Sequence, residues 1–407
     1  MSDVVRARPD AKQLAWQDLE LGMFCHFGPN TFLDQEWGDG TADLAVYNPT
    51  ELDPRQWARA AKEAGMKYLV FTAKHHDGFC NWPTETTDYC VKASPLMGGK
   101  ADVVGMVAEA ARAEGLKFGI YCSPWDRHEP CYADSKAYDD FYLRQWTELM
   151  TRYGDLVCIW LDGAGSEGHV YDWERILATM HELQPGACIF SIGDPDYRWV
   201  GNEDGLAPDP CWNAEERPDP WMPGFLTKQY LATCPHWTPA ECDARIRANW
   251  FWNTYDLPTL KSVERLCDIY ERSVGHGCNL LLNIGPDNRG LLPETDVARL
   301  LQMSDELGRR YGTPLGEAVG PAARLEVKFD RPRVVSAAIC QEDISEGEKV
   351  REYVVHVLTN GRWEGMYVGT AMGHKKIDRF PAITADAVAV SASRSDGDAV
   401  LRKLQVF

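Results

Sequence analysis

The stretch Leu156 to Gly163, LVCIWLDG, constrains the fold more than any other part of the chain, because an apolar, strand-forming run stops abruptly at an aspartate and a glycine. Three further runs are built the same way. Met23 to His26 ends in a histidine, Tyr68 to His76 ends in two, and Lys117 to Ser123 reads KFGIYCS. A strand that is apolar on both faces needs cover on both, which a parallel sheet wrapped by helices supplies. Its polar C-terminal end then lies at the rim where such sheets carry their chemistry.

Amphipathic segments with start and stop signals separate these runs. Asp53 stands as N-cap to a helix that opens on Pro54, carries Trp57, Ala60, Ala61 and Ala64 on one face, and closes at Gly65. A second helix begins at Asp102, carries Val103, Met106, Val107 and Ala110, and stops at Gly115 just before Lys117. Strand, helix, strand at this spacing is a βαβ unit. Further strands are expected at Cys188 to Ile192, Arg198 to Gly201, Trp250 to Asn253 and Asn279 to Ile284, which brings the count close to that of an α/β (β/α)8 TIM barrel. The alternative, a doubly wound open sheet, would carry a glycine-rich phosphate loop after an early strand, and none is present. Beyond Gly320 and Pro321 the chain turns to short alternating segments (RLEVKF, VVSAAIC, REYVVHVL, RWEGMYVG, AVAVSAS, VLRKLQVF), the pattern of a β-sandwich. Residues 1–320 therefore read as a catalytic barrel and 321–407 as a C-terminal β-sandwich domain.

A formal charge of −19 opposes binding to nucleic-acid phosphates or anionic membranes, and no basic cluster offsets it, so neither is an expected partner. The 13 cysteines are scattered, several inside strand-like runs, with no CxxC pair at metal-ligand spacing. They read as free buried thiols. The start, MSDVVRARPDAKQ, has no apolar signal-peptide core, and the expected location is cytoplasmic.

Asp162 leads the candidates for chemistry. Asp-Gly also forms ordinary turns after strands, but at a barrel rim the small neighbours Gly163, Ala164 and Gly165 leave room for substrate, and a carboxylate there can act as a covalent nucleophile. His26, His75 and His76 raise the possibility of a metal-dependent barrel hydrolase. Adjacent histidines on an extended strand point to opposite faces, however, and no carboxylate set accompanies them, so no metal or cofactor is expected and hydrogen bonding to a hydroxyl-rich substrate is preferred. Among the 15 tryptophans, Trp37, Trp82, Trp125, Trp212, Trp250 and Trp252 fall, with Tyr121, near the same strand ends. Aromatic rings interleaved with polar groups suit the apolar faces of sugars. A sugar-cleaving enzyme of the usual kind needs two carboxyl groups. The candidate partners for Asp162 are Glu203 in RWVGNEDG and Glu241 in PAECD, and spacing does not choose between them.

Six segments taken in order resemble one known family: CHFGPNTFLDQEWGDGT, YNPTELDPRQWARAAKEAGMKYLVFTAKHHDGF, KFGIYCSPWDR, IWLDGAG, RWVGNEDG and LLLNIGPDNRGLLPETD. The family is that of the family 29 glycoside hydrolases, the α-L-fucosidases, and the resemblance covers essentially the whole chain. The SPWDR and VGNE segments resemble the subfamily that acts on α-1,3 and α-1,4 linked fucose in branched, Lewis-type oligosaccharides. The resemblance implies a retaining exo-enzyme in which Asp162 attacks the anomeric carbon to give a fucosyl-enzyme, while Glu203 protonates the leaving oxygen and then activates water. It also implies a fucose pocket of His26, Glu36, Trp37, His75, His76, Tyr121, Arg247 and Trp250. Two segments depart from the pattern: Arg247-Ala248-Asn249-Trp250 stands where the subfamily has Arg-Pro-Gly-Trp, and His128 to Cys131 diverges after SPWDR. The C-terminal region is similar to the discoidin-like sandwich that accompanies the family's barrel. The competing readings are a fucose-binding protein without turnover and the metal-dependent hydrolase.

Overall fold

The structure, a computed structural model, describes residues 7–215 and 235–407. Eight parallel strands make the expected ring: β1 (Leu21–Cys25), β2 (Tyr68–Lys74), β3 (Lys117–Cys122), β4 (Cys158–Trp160), β5 (Cys188–Phe190), β6 (Arg198–Trp199), β7 (Ala240–Arg245) and β8 (Asn279–Asn283). Their order is β5-β4-β3-β2-β1-β8-β7-β6. Backbone bonds from Ser191 N to Tyr197 O (2.9 Å) and from Asp196 N to Ile189 O (2.8 Å) join the two ends of that series and close the barrel. Every residue of β1 and β2 is buried, which is why their sequences show no alternation.

Among the described residues, outer helices follow six of the strands. They are α1 (Pro54–Glu63) after β1, α2 (Val103–Ala113) after β2, α3 (Ser135–Arg152) after β3, α4 (Trp173–Leu183) after β4, α5 (Val263–Ser273) after β7 and α6 (Glu294–Tyr311) after β8. Asp53 caps α1 by accepting from the Arg55 and Gln56 amides, and Asp102 caps α2 through the Gly105 amide. Gly65 and Gly115 follow at φ of +81° and +74°, the left-handed turn a glycine takes without a Cβ clash. Between β5 and β6 there is no helix, and residues 191–197 return directly along the rim.

The expected strand at Trp250 to Asn253 is irregular, and the seventh strand is Ala240–Arg245 instead. Its sequence, AECDAR, reads as polar, and a run of that kind is not normally taken for a buried strand. Alternation sends Glu241, Asp243 and Arg245 to the same side, where each finds a partner: Tyr68 and Trp160, Trp199, and Glu203 respectively. Much of the remaining interior is aromatic. Trp16, on a capped helix Ala11–Gln17, is buried in one cluster with Phe24, Tyr68, Tyr121, Trp160, Phe190 and Tyr197, and the larger core lies between strands and helices.

The second domain is a six-stranded antiparallel sheet: β9 (Gly316–Ala322), β10 (Arg324–Glu342), β11 (Val350–Thr359), β12 (Arg362–Gly369), β13 (Lys376–Ser395) and β14 (Leu401–Val406), in the order β9-β14-β10-β13-β11-β12. RLEVKF and VVSAAIC are two halves of one long strand, β10, interrupted by a register shift between Lys328 and Arg333. The sheet folds back on itself, so that Val327 of β10 packs directly on Gly316 of β9. The first strand starts at Gly316, which puts Gly320 and Pro321 inside it and the passage between domains just after α6. Polar bonds brace the two domains: Glu348 accepts from Asn213 N and Nδ2 (3.0 and 2.7 Å), His374 Nε2 meets Asp18 (2.8 Å), and Lys376 meets Asp209 (2.7 Å). Among the described residues the cysteines are free and all but Cys131 are buried, and no helix is long and apolar enough to cross a membrane.

Candidate active site

The C-terminal ends of the barrel strands open into a cavity of about 110 Å³. Its lining includes His26, Trp37, His75, His76, Tyr121, Asp162, Glu203 and Trp250 from the expected set. Asp162 follows β4 and is held by two donors: Tyr121 Oη gives its proton to Oδ2 (2.9 Å) and the Ala164 amide bonds Oδ1 (2.9 Å). The carboxylate is thus fixed in plane, with about a quarter of its side chain exposed (24%) to the cavity. Gly165 supports the same loop from below. It sits at φ +75°, and a Cβ there would lie 1.8 Å from the Trp125 ring.

Three buried histidines crowd one wall. His26 Nδ1 lies 2.8 Å from Asn283 Oδ1, and burial pushes its pKa down to about 3. His75 stacks on Tyr121 and is held far below its ordinary value by burial and by the neighbouring histidines. His76 Nδ1 lies 2.7 Å from Ser123 Oγ, and its Nε2 is 3.5 Å from Asp162 Oδ2. Burial lowers its pKa and outweighs the opposing pull of Asp162. The wall is therefore neutral imidazole at ordinary pH, suited to hydrogen bonding with hydroxyl groups.

Glu203, just past β6, is half exposed (46% of the side chain) and pairs with Arg245 Nη2 at 3.2 Å. Arg245 in turn lies over the Trp250 ring (5.1 Å). Trp250 is fixed by Glu36, whose carboxylate accepts its amide proton at 2.9 and 3.1 Å. Glu36 therefore acts on the pocket through Trp250, and burial raises its pKa. Trp37 is 49% exposed and stands edge-on to His76 and Trp125.

Two of the sequence candidates lie elsewhere. Arg247 lies outside the cavity lining, because its guanidinium is buried between Asp296 (Nε to Oδ2, 2.8 Å) and Asp256 (Nη1 to Oδ1, 2.8 Å), both on the flank of the barrel. Glu241, left open as a partner for Asp162, is fully buried beneath the cavity with both oxygens taken, by Trp160 Nε1 and Tyr68 Oη at 2.9 Å each.

The sequence reading missed Asp243. It lines the cavity, accepts from Trp199 Nε1 at 2.6 Å, and is held well above the usual carboxylate range by burial, with Glu203 adding to the effect. The signal for it was the period-two placement in AECDAR, legible only once that segment is recognised as a strand. Phe24, Trp160 and Phe190 line the cavity from the aromatic interior.

The α-L-fucosidase family model matches residues 41–311. Alpha-L-fucosidase 1 of Arabidopsis thaliana is 38% identical over 417 aligned residues, which cover 91% of this chain and 81% of that protein. Among solved structures, a glycoside hydrolase 29 family member from an unknown rumen bacterium has a TM-score of 0.92 at 34% identity, covering 99% of this chain and 77% of its own. A Ruminococcus gnavus GH29 fucosidase, solved in complex with fucose, has a TM-score of 0.87 at 27% identity, covering 98% of this chain and 95% of its own. With family match, sequence identity and overall structure in agreement, this chain belongs to the α-L-fucosidases of glycoside hydrolase family 29.

Proposed function

We propose that the enzyme is a retaining exo-α-L-fucosidase that removes terminal α-1,3 and α-1,4 linked fucose from branched, Lewis-type oligosaccharides. Asp162 is the nucleophile: its carboxylate attacks the anomeric carbon, the glycosidic bond breaks, and a fucosyl-enzyme forms. Glu203 gives its proton to the departing oxygen. It then takes a proton from the water that attacks the same carbon, which releases fucose and restores both carboxyl groups.

The observation that carries this reading is the clamping of Asp162 by Tyr121 and Ala164 in a cavity that Glu203 also lines. Exo action is supported by the aromatic inner end, Phe24, Trp160 and Phe190, which leaves the mouth as the exit for the aglycone. His26, His75 and His76 meet ring hydroxyls, and the aromatic wall meets the C6 methyl group, a contact that contributes about 1 to 3 kcal/mol of discrimination. The branched-glycan preference draws support from the half-exposed Trp37 beside Trp125, a platform for the next sugar.

The test is fucose release from a Lewis-type trisaccharide and from an aryl α-L-fucoside, by the unmodified enzyme and by Asp162→Asn, with the first-formed anomer followed by NMR. Release lost in the variant, with α-fucose appearing first, is the expected result. β-Fucose appearing first overturns retention, and release from the aryl substrate alone overturns the glycan preference.

A further inference from the structure

We infer that Ser123 and Asn283 are positioning residues, each fixing the tautomer of one cavity histidine so that His76 and His26 present a bare Nε2 to the hydroxyl protons of the bound sugar. The inference rests on the fucosidase reading and specifies how its pocket recognises a hydroxylated ring.

Asn283 Nδ2 donates to Trp250 O (2.7 Å), which turns its Oδ1 toward His26 Nδ1 at 2.8 Å. An amide oxygen only accepts, so Nδ1 carries the proton. Ser123 has one hydroxyl proton, and it goes to Trp125 O (2.8 Å). Its oxygen therefore meets His76 Nδ1 (2.7 Å) as an acceptor, and that nitrogen too carries the proton. Both rings are kept neutral by burial, which leaves the lone pair on Nε2 in each. His75 has no such setting, since its buried Nδ1 meets no hydrogen-bond partner.

The consequence is sharpest at His76. Its bare Nε2 faces Asp162 Oδ2 at 3.5 Å, lone pair against carboxylate, an arrangement that favours a donor entering between or beside them. A sugar hydroxyl is such a donor. In the other tautomer the ring would turn its own proton onto Asp162, which would hold the carboxylate with a third hydrogen bond and remove an acceptor from the pocket. Ser123 thus keeps the nucleophile available and the wall accepting, without touching the substrate.

Two measurements test this. Long-range ¹H–¹⁵N NMR on the histidine-labelled enzyme at neutral pH is expected to show His26 and His76 protonated at Nδ1 and bare at Nε2. Ser123→Ala should convert His76 to the Nε2-protonated form, lower kcat/KM on an aryl fucoside about tenfold with KM raised and kcat lowered, and be rescued by Ser123→Thr. Ser94→Ala, which removes a comparable buried bond to Val91 O (2.8 Å), should leave kcat/KM and the two rings unchanged. An Nε2-protonated or doubly protonated His76 in the unmodified enzyme overturns the inference, as does a Ser123→Ala enzyme with an unmoved ring and full kcat/KM. Absence of fucose release by the unmodified enzyme would instead overturn the activity, and the NMR result would still decide the tautomers.

Discussion

Glu241→Gln should leave the enzyme equally stable in mild acid and make it more stable in mild base. Glu241 is fully buried, and burial pushes its pKa from 4.5 up to about 7. The sign follows from proton binding. Between those two values the folded protein holds a proton that the unfolded chain has released, so stability falls as pH rises through that window and stays low above it. At about 1.36 kcal/mol per unit, a rise from 4.5 to about 7 corresponds to at most about 3 kcal/mol. Glutamine reproduces the protonated acid, with its carbonyl accepting from Trp160 Nε1 and its amide donating to Tyr68 Oη, but it does not titrate. Urea denaturation followed by tryptophan fluorescence near pH 4 and near pH 8 reads the effect, with a gain over the unmodified enzyme of up to about 3 kcal/mol at the higher pH only. A difference independent of pH would falsify the burial argument. The same variant is expected to retain fucosidase turnover. A collapse confined to substrates with poor leaving groups would transfer the acid role from Glu203 to Glu241.

Further expectations concern the site and its supports. Glu203→Ala should lower kcat on the trisaccharide by about 10² or more and on an activated aryl fucoside far less, because only the former needs a proton on the leaving oxygen; equal losses would remove Glu203 from the acid role. Arg247→Met leaves Asp256 and Asp296 buried without their cation and should cost about 3 to 5 kcal/mol of stability in chemical denaturation, while specific activity of the folded fraction stays close to that of the unmodified enzyme. A selective rise in KM with stability unchanged would return Arg247 to the pocket. Gly165→Ala forces a methyl group into the Trp125 ring at a positive φ, so KM for the trisaccharide should rise more than KM for the aryl substrate. Identical changes for both would show that Trp125 does not meet the second sugar.

Much of the site was legible because a parallel strand buried on both faces has few places for a polar residue. His26, His75, His76 and Asp162 stand just beyond β1, β2 and β4, and an aspartate or histidine after such a run announces the rim. The motif resemblance chose Glu203 over Glu241 and gave Glu36 and Trp37 their place in the pocket, in loops where periodicity carries no information. Asp243 escaped notice because AECDAR looks like a surface segment. Nothing in the sequence states that the barrel interior holds Tyr68, Trp160 and Trp199 ready to meet its polar side chains.

Local order alone determined the barrel, its capped helices, the trailing sheet domain and the rim position of Asp162, since each follows from the period of apolar residues and from single capping or turning residues. Tertiary structure decided which charged residues face the cavity. Arg245 and Arg247 are two positions apart, yet one lies over Trp250 beside Glu203 while the other is held by Asp256 and Asp296. Glu241 and Asp243 share one strand face, yet a single step along it separates a carboxyl sealed beneath the cavity from one that lines it. Burial and hydrogen-bond partners come from strands distant in sequence, and those partners fix each group's charge, orientation and access to substrate.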